Sequence, residues 1–217
     1  MKRYFIFGIA NKTKDKIIHE IAFNRSRNLM SKKGKNTVII HTNNYSDIKV
    51  NIGEIKINFD KEFHENLLKI VTEAIYLVKE THTSYGMEKC DYRERDKGGI
   101  SSTLYSLTTI WYHNRKNIDI LDLAIDLLIR ICTGHLIFNG NKRLSVITCS
   151  IFLNSMGLYL KWSSETHAYL KYWEDLMTNI ADNKYGKDIK EIKENKELNI
   201  KNLFLNSIMI SNKWIWQ

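Results

Sequence analysis

Proline is absent from all 217 residues, where a usual share would be about 5%. With Lys, Asn and Ile abundant, this reads as the imprint of an AT-rich bacterial or phage coding sequence, not as a structural device. Cysteine is scarce: Cys90, Cys132 and Cys149 make an odd count with no CxxC spacing. That argues against a disulfide framework and a zinc site, and a reducing cytoplasm is the expected compartment. Cys132 and Cys149 fall in apolar stretches, where a free thiol behaves as a small hydrophobe. Long apolar runs are missing too. The longest uncharged run, Leu144 to Leu160, is interrupted by Ser145, Thr148, Ser150, Asn154 and Ser155, so it reads as a core helix and not as a membrane span. Lys2-Arg3 precedes the apolar run Tyr4 to Ala10, which is at the lower limit of length for a signal-peptide core, is aromatic-rich and leads into Asn11-Lys12-Thr13-Lys14, so it reads better as a buried strand. Internal repeats and long low-complexity linkers are likewise missing.

What is present is ordinary for a globular chain: 43% hydrophobic and 26% charged residues. The length supports one domain, or one domain with a small extension. The formal net charge is +9. Because the coding bias inflates lysine, this charge is discounted, and neither nucleic acid nor a membrane is expected as a partner.

Residues 1–60 have strand texture, in Tyr4 to Phe7, Thr37 to Ile40, the alternating Ile48 to Ile52, and Ile55 to Phe59. The stretch Ser31 to Asn36 is expected to be an exposed loop. This region is set apart as an N-terminal α/β or β-containing extension, and residues 61–217 as a helical domain. From residue 61 the period becomes helical. Leu67, Ile70, Val71, Ala74, Ile75 and Val78 share a face of a helix ending near Glu80. A helix is expected around Leu104 to Tyr112. Another runs from Ile118 to about Cys132 with Asn117 as N-cap, and a third from about Gly140 to Met156 with Gly157 as its terminating glycine. Ser163 or Ser164 would cap a helix through Leu176. Lys187 to Glu197 is expected to be a solvated helix, and the tail Leu203 to Trp216 to pack back on the body. Asp119, Asp122 and Asp126 read as a narrow solvated stripe or, less simply, as a carboxylate metal site.

One segment carries chemistry: Gly134-His135-Leu136-Ile137-Phe138-Asn139-Gly140-Asn141-Lys142-Arg143. It connects the two most apolar helices, so both its ends are anchored by the core. Its second half opens a helix whose first amides lack intrahelical partners and whose dipole is positive. Gly140 and the amides after it can form an anion-binding nest. Lys142 and Arg143 work against the dipole at that end by roughly 0.3–1 kcal/mol each, a conflict that a bound polyanion such as a nucleotide phosphate would relieve. His135 is then a general base toward a hydroxyl, and Asn139 an oxygen ligand for magnesium. The plainer reading is a basic turn flanked by a histidine that satisfies a backbone carbonyl.

The nine residues from His135 to Arg143 resemble the signature of the Fic/Doc (fido) family, HxFx(D/E)GN(G/K)R, and most closely its Doc, or death-on-curing, branch, in which Asn-Lys-Arg replaces Asn-Gly-Arg. The resemblance implies a fido-type helical bundle over residues ~61 to ~180. It places His135 at the catalytic histidine and Asn139 at the metal-associated position. Gly140, Asn141, Lys142 and Arg143 take the phosphate-binding stretch. Gly98-Gly99-Ile100 faintly echo the region of the target-docking flap. The chain departs from the pattern at Ile137 (usually Phe), at Asn139 (usually acidic) and at Val146, where adenylyl-transferring members carry a second arginine. Ser84 to Glu88 has the spacing of the family's inhibitory motif, but Lys89 breaks its ending.

The resemblance implies an enzyme that uses ATP or another nucleoside triphosphate, with Mg²⁺, to modify a Ser, Thr or Tyr hydroxyl of a target protein. Phosphoryl transfer is favoured, as in a Doc toxin acting on a translation factor and restrained by a separate antitoxin. Nucleotidyl transfer is the alternative within the family. A different class remains open: a binding module for nucleic acid or a partner on a degenerate fido scaffold.

Overall fold

A computed structural model of the chain describes residues 2–7, 30–32, 37–40, 48–55, 57–84, 91–114, 119–156, 158–160 and 167–210. From residue 57 onward the described residues are mainly helical. They gather around a helix with no solvated face. Apolar residues on every side make Ile120–Thr133 (α3) a core helix, and all its residues from Ile120 to Ile129 are buried.

Around it stand Lys61–Ser84 (α1), Gly99–Asn114 (α2), Asn141–Ser155 (α4), His167–Ala181 (α5), Ile189–Glu194 (α6) and Ile200–Ser207 (α7). Helix α4 packs against both α3 and α1, while α2, α5, α6 and α7 each touch α3. The stripe foreseen on α1 is the buried one. Leu67, Val71, Ala74 and Val78 are enclosed, with Ile70 and Ile75 at its margins. The helix runs four residues past Glu80, to Ser84. Trp111 of α2 is fully buried beside Phe59 and Phe63, at ring-centroid distances of 6.0 and 6.2 Å.

Several boundaries differ from expectation. Asp119, not Asn117, caps α3: its side chain accepts from the amides of Leu121 and Asp122, both at 2.9 Å. An ionised carboxylate is well placed at the positive end of the dipole. The uncharged run beginning at Leu144 is divided, because α4 ends at Ser155 and Leu158–Leu160 forms a strand (β5). That strand pairs antiparallel with Ile208–Ile210 (β6), so the part after residue 61 is not wholly α-helical, and the tail returns to the body through this ribbon. The charged segment beginning at Lys187 is helical only over α6, where Ile192 is buried. Asn117, Gly157, Ser163, Ser164, Cys90 and the tail beyond Ile210 lie outside the described residues.

The acids of α3 are neither a solvated stripe nor a metal site. Asp119, Asp122 and Asp126 are 4%, 9% and 5% exposed and are held by two lysines from the last helices. Lys193 Nζ donates to Asp126 at 2.8 Å, and Lys201 Nζ donates to Asp122 at 2.8 Å while pairing with Asp119 at 3.1 Å. Trp111 Nε1 donates to the second Asp126 oxygen at 3.0 Å. Burial pushes the Asp126 carboxyl above the usual carboxylate range, against the pull of Lys193 and Trp111. Burial works in the opposite direction on Lys201, but its bonds to Asp122 and Asp119 outweigh that and raise it.

Within the first 60 residues the strands are Lys2–Phe7 (β1), Met30–Lys32 (β2), Thr37–Ile40 (β3) and Ile48–Ile55 (β4). They form one mixed sheet in the order β1-β4-β3-β2, with β1 parallel to β4 and the other pairs antiparallel. Ser31 and Lys32, expected in a loop, belong to β2. The fourth strand runs through Gly53 and stops at Ile55.

Candidate functional site

The loop between α3 and α4 is built on two close backbone approaches. A Cβ at Gly134 would lie 2.6 Å from the carbonyl oxygen of Arg130, so only glycine lets the chain leave α3 this tightly. Gly140, the N-cap of α4, has φ +88°, in the left-handed region that favours glycine, and a Cβ there would meet Tyr92 and Val78 at 3.2 Å. Gly140→Ala is therefore expected to lower the unfolding free energy by about 1–2 kcal/mol through backbone strain alone, with side-chain crowding adding to it. Urea denaturation checks this, and an unchanged midpoint would show that the junction relaxes freely.

Between these glycines the loop alternates between core and surface. Ile137 is 1% exposed and Phe138 53%, so the isoleucine takes the buried place at the position where the family pattern has phenylalanine. Asn141 braces the turn from inside: its side-chain oxygen accepts from the Ile137 amide at 3.0 Å and its NH₂ donates to the Ile137 carbonyl at 2.7 Å. With both ends of that amide engaged, Asn141 has its backbone N–H to offer a ligand.

An extended segment over residues 91–95 supports the loop from outside. Glu94 and Ile137 form an antiparallel bridge. The amide of Arg95 donates to the Leu136 carbonyl at 2.9 Å, and the amides of Phe138 and Asn139 donate to the carbonyls of Arg93 and Asp91 at 3.2 and 3.0 Å. Glu94 also reaches α2, its carboxylate accepting from the Ile100 amide at 2.7 Å. Arg93 grips Asp91 through two nitrogens at 3.0 and 2.8 Å and holds that carboxyl down at about 2.

His135, Asn139, Gly140, Asn141, Lys142 and Arg143 thus share one loop–helix junction. His135, Asn139, Lys142 and Arg143 are exposed, and no side chain caps α4. His135 has φ 48°, one of three non-glycine residues at positive φ among those described. Lys142 is directed to α5, where its Nζ donates to Thr178 Oγ1 at 3.1 Å. Gly98, Gly99 and Ile100 follow the 91–95 segment, and the Ile100 amide is tied to it through Glu94. Gly99 and Ile100 begin α2, and Ile100 is in the core; the segment beside the loop is residues 91–95.

No group of three or more His, Cys, Asp or Glu is placed to hold a metal among the described residues. Asn139 offers one neutral oxygen. Magnesium keeps several waters and takes phosphate oxygens, so an ion arriving with a nucleotide needs few protein ligands, and Asn139 fits that limited part. Neither Cys132 nor Cys149 is available as a nucleophile: burial pushes the first thiol up to about 11 and the second higher still. Two features escaped the sequence reading, the 91–95 support and the Lys142–Thr178 contact. Asp91-Tyr92-Arg93-Glu94-Arg95 has no apolar alternation to mark it as extended.

No protein-family model matches the chain, and no curated protein matches it.

Proposed function

We propose that the protein is a Fic/Doc-type transferase that moves the γ-phosphoryl group of a nucleoside triphosphate to a hydroxyl of a target protein. The observation that carries this reading is the junction itself. Gly140 in left-handed conformation opens α4 with no side-chain cap, Arg143 is exposed one turn in, and an exposed histidine stands five residues upstream of Gly140. Uncapped amides at a helix N-terminus, with an arginine close by, suit a polyphosphate.

In this reading His135 takes the proton of the target hydroxyl as its oxygen attacks the γ-phosphorus. The bond from that phosphorus to the β-bridging oxygen breaks, and the nucleoside diphosphate leaves. Magnesium, when bound, would neutralise phosphate charge, with Asn139 supplying an oxygen. The bulk and charge of Lys142, where adenylyl-transferring members have glycine, favour a nucleotide turned to present its γ-phosphorus. The absence of a helix long and apolar enough to cross a membrane among the described residues, and the free thiols of Cys132 and Cys149, support a cytoplasmic setting. A separate antitoxin is the proposed restraint.

The test is incubation with bacterial extract and ATP labelled at either the α- or the γ-phosphorus. Label on protein from the γ-position alone is expected. Retention from the α-position, with a mass gain matching a nucleotide, would replace phosphoryl by nucleotidyl transfer. No label from either would leave the junction as a binding surface.

A further inference from the structure

Two cations stand at the opening of α4, and their surroundings differ. Arg143 is exposed and makes no ion pair among the described residues, whose pairs use Lys61, Arg93, Lys193 and Lys201. Lys142 makes none either, but its ammonium is tethered: Nζ donates to Thr178 Oγ1 of α5 at 3.1 Å. That partner is a neutral hydroxyl. A carboxylate would hold the lysine and also offset its charge, whereas a hydroxyl fixes its place and leaves the charge and two N–H donors for a ligand. Tethering a long side chain removes rotamer freedom, and a cation at this end opposes the helix dipole. No acid offsets either cost.

The hydroxyl is fixed in turn by the residue before it. Met177 is 1% exposed, and its carbonyl accepts from Cys132 Sγ of α3 at 3.4 Å. Ser145 Oγ of α4, which donates to the Lys142 carbonyl at 2.7 Å, lies 3.4 Å from the Met177 sulphur. Helix α5 is thus seated on both α3 and α4 next to Thr178. Helical side chains lean toward the N-terminus of their helix. Lys142, the second residue of α4, therefore leans toward the opening formed by Gly140 and the uncapped amides, and Thr178 holds it on the α5 side of that opening.

We propose that Thr178 is a positioning residue, fixing Lys142 so that a bound triphosphate turns its γ-phosphorus toward His135. This rests on the transferase reading and adds to it a residue from outside the loop, 36 positions beyond Lys142. Arg143 and the free amides supply affinity, and the tethered lysine supplies direction. Released from Thr178, Lys142 would follow the phosphates instead of guiding them. The nucleotide would still bind, but less of it in the productive orientation.

The test compares Thr178→Val, Thr178→Ser, Lys142→Met and the Lys142→Met, Thr178→Val double variant with the wild type. Transfer is read with γ-labelled ATP, and affinity for ATP with magnesium by calorimetry. Thr178→Val removes the hydroxyl at nearly constant volume. It should lower kcat by roughly 10- to 100-fold, the scale of a small misplacement, with affinity within about twofold of wild type. Thr178→Ser restores the acceptor and should recover most of the rate. In the Lys142→Met background, Thr178→Val should cause no further loss, because Thr178 acts through Lys142. Thr178→Ala replaces the valine variant if that one does not fold by circular dichroism. Wild-type kcat in Thr178→Val, a serine variant as slow as the valine one, or additive losses in the double variant would each overturn the positioning role alone. So would a fall in melting temperature and ATP affinity together, the mark of a merely structural contact. A wild type that binds ATP but transfers no label would remove the transferase reading and this role with it.

Discussion

Replacing His135 by alanine is expected to lower the transfer rate by ~10²–10⁴-fold, the usual contribution of a general base, while nucleotide affinity stays close to wild type. The residue is exposed and makes no contact on which the core depends, so the loss should fall on turnover and not on folding. Its backbone at φ 48° adds a complication, because alanine carries a penalty in the left-handed region. Asparagine tolerates that region better and supplies no base. His135→Asn should therefore be as inactive as His135→Ala but closer to wild type in melting temperature. Single-turnover labelling with γ-labelled ATP, read beside a thermal melt, separates the two effects. Wild-type transfer by either variant would remove His135 from the reaction.

The largest stability effect is expected far from the loop, at Asp126. Alanine there leaves Lys193 without its 2.8 Å partner and Trp111 Nε1 without an acceptor in the core. Breaking a buried ion pair by removing one member costs about 3 kcal/mol or more, because the partner stays desolvated, and the orphaned indole adds to the loss. Lys193 retains some exposure, which favours the lower end of that range. Asp126→Asn keeps an oxygen for one of the two donors and should lose visibly less. Urea denaturation monitored by tryptophan fluorescence checks both. Equal stability of wild type and Asp126→Ala would mean that Lys193 reaches water without cost.

The sequence and the structure agree where the signal is local. The stripe on α1 is legible because four buried positions recur at helical spacing within twelve residues. The opening of α4 is legible because Gly140 follows the buried Ile137 and precedes a new apolar run. The Asp119–Asp122–Asp126 series misleads, since acids at helical spacing look solvated until their partners are known, and those partners lie 67 and 79 residues further along. The capping residue shifted by two positions for a related reason: asparagine and aspartate are both good caps, and the reciprocal bond between Asp119 and Asp122 distinguishes them only in three dimensions. Residues 91–95 pair with the loop through main-chain bonds, which leave no trace in side-chain pattern.

The distant pairing of α3 has a consequence during synthesis. A nascent chain that has passed Arg143 already contains every residue of the α3–α4 loop, yet its central helix still carries three carboxylates whose cations have not been made. Without Lys193 and Lys201 those acids would have only the Trp111 indole and backbone amides at the start of α3 as partners, so the native burial of α3 is disfavoured until α6 and α7 have been made. The loop inherits that delay, because its upstream anchor is the end of α3. Truncated products of translation would therefore carry the complete motif without the framework that shapes it.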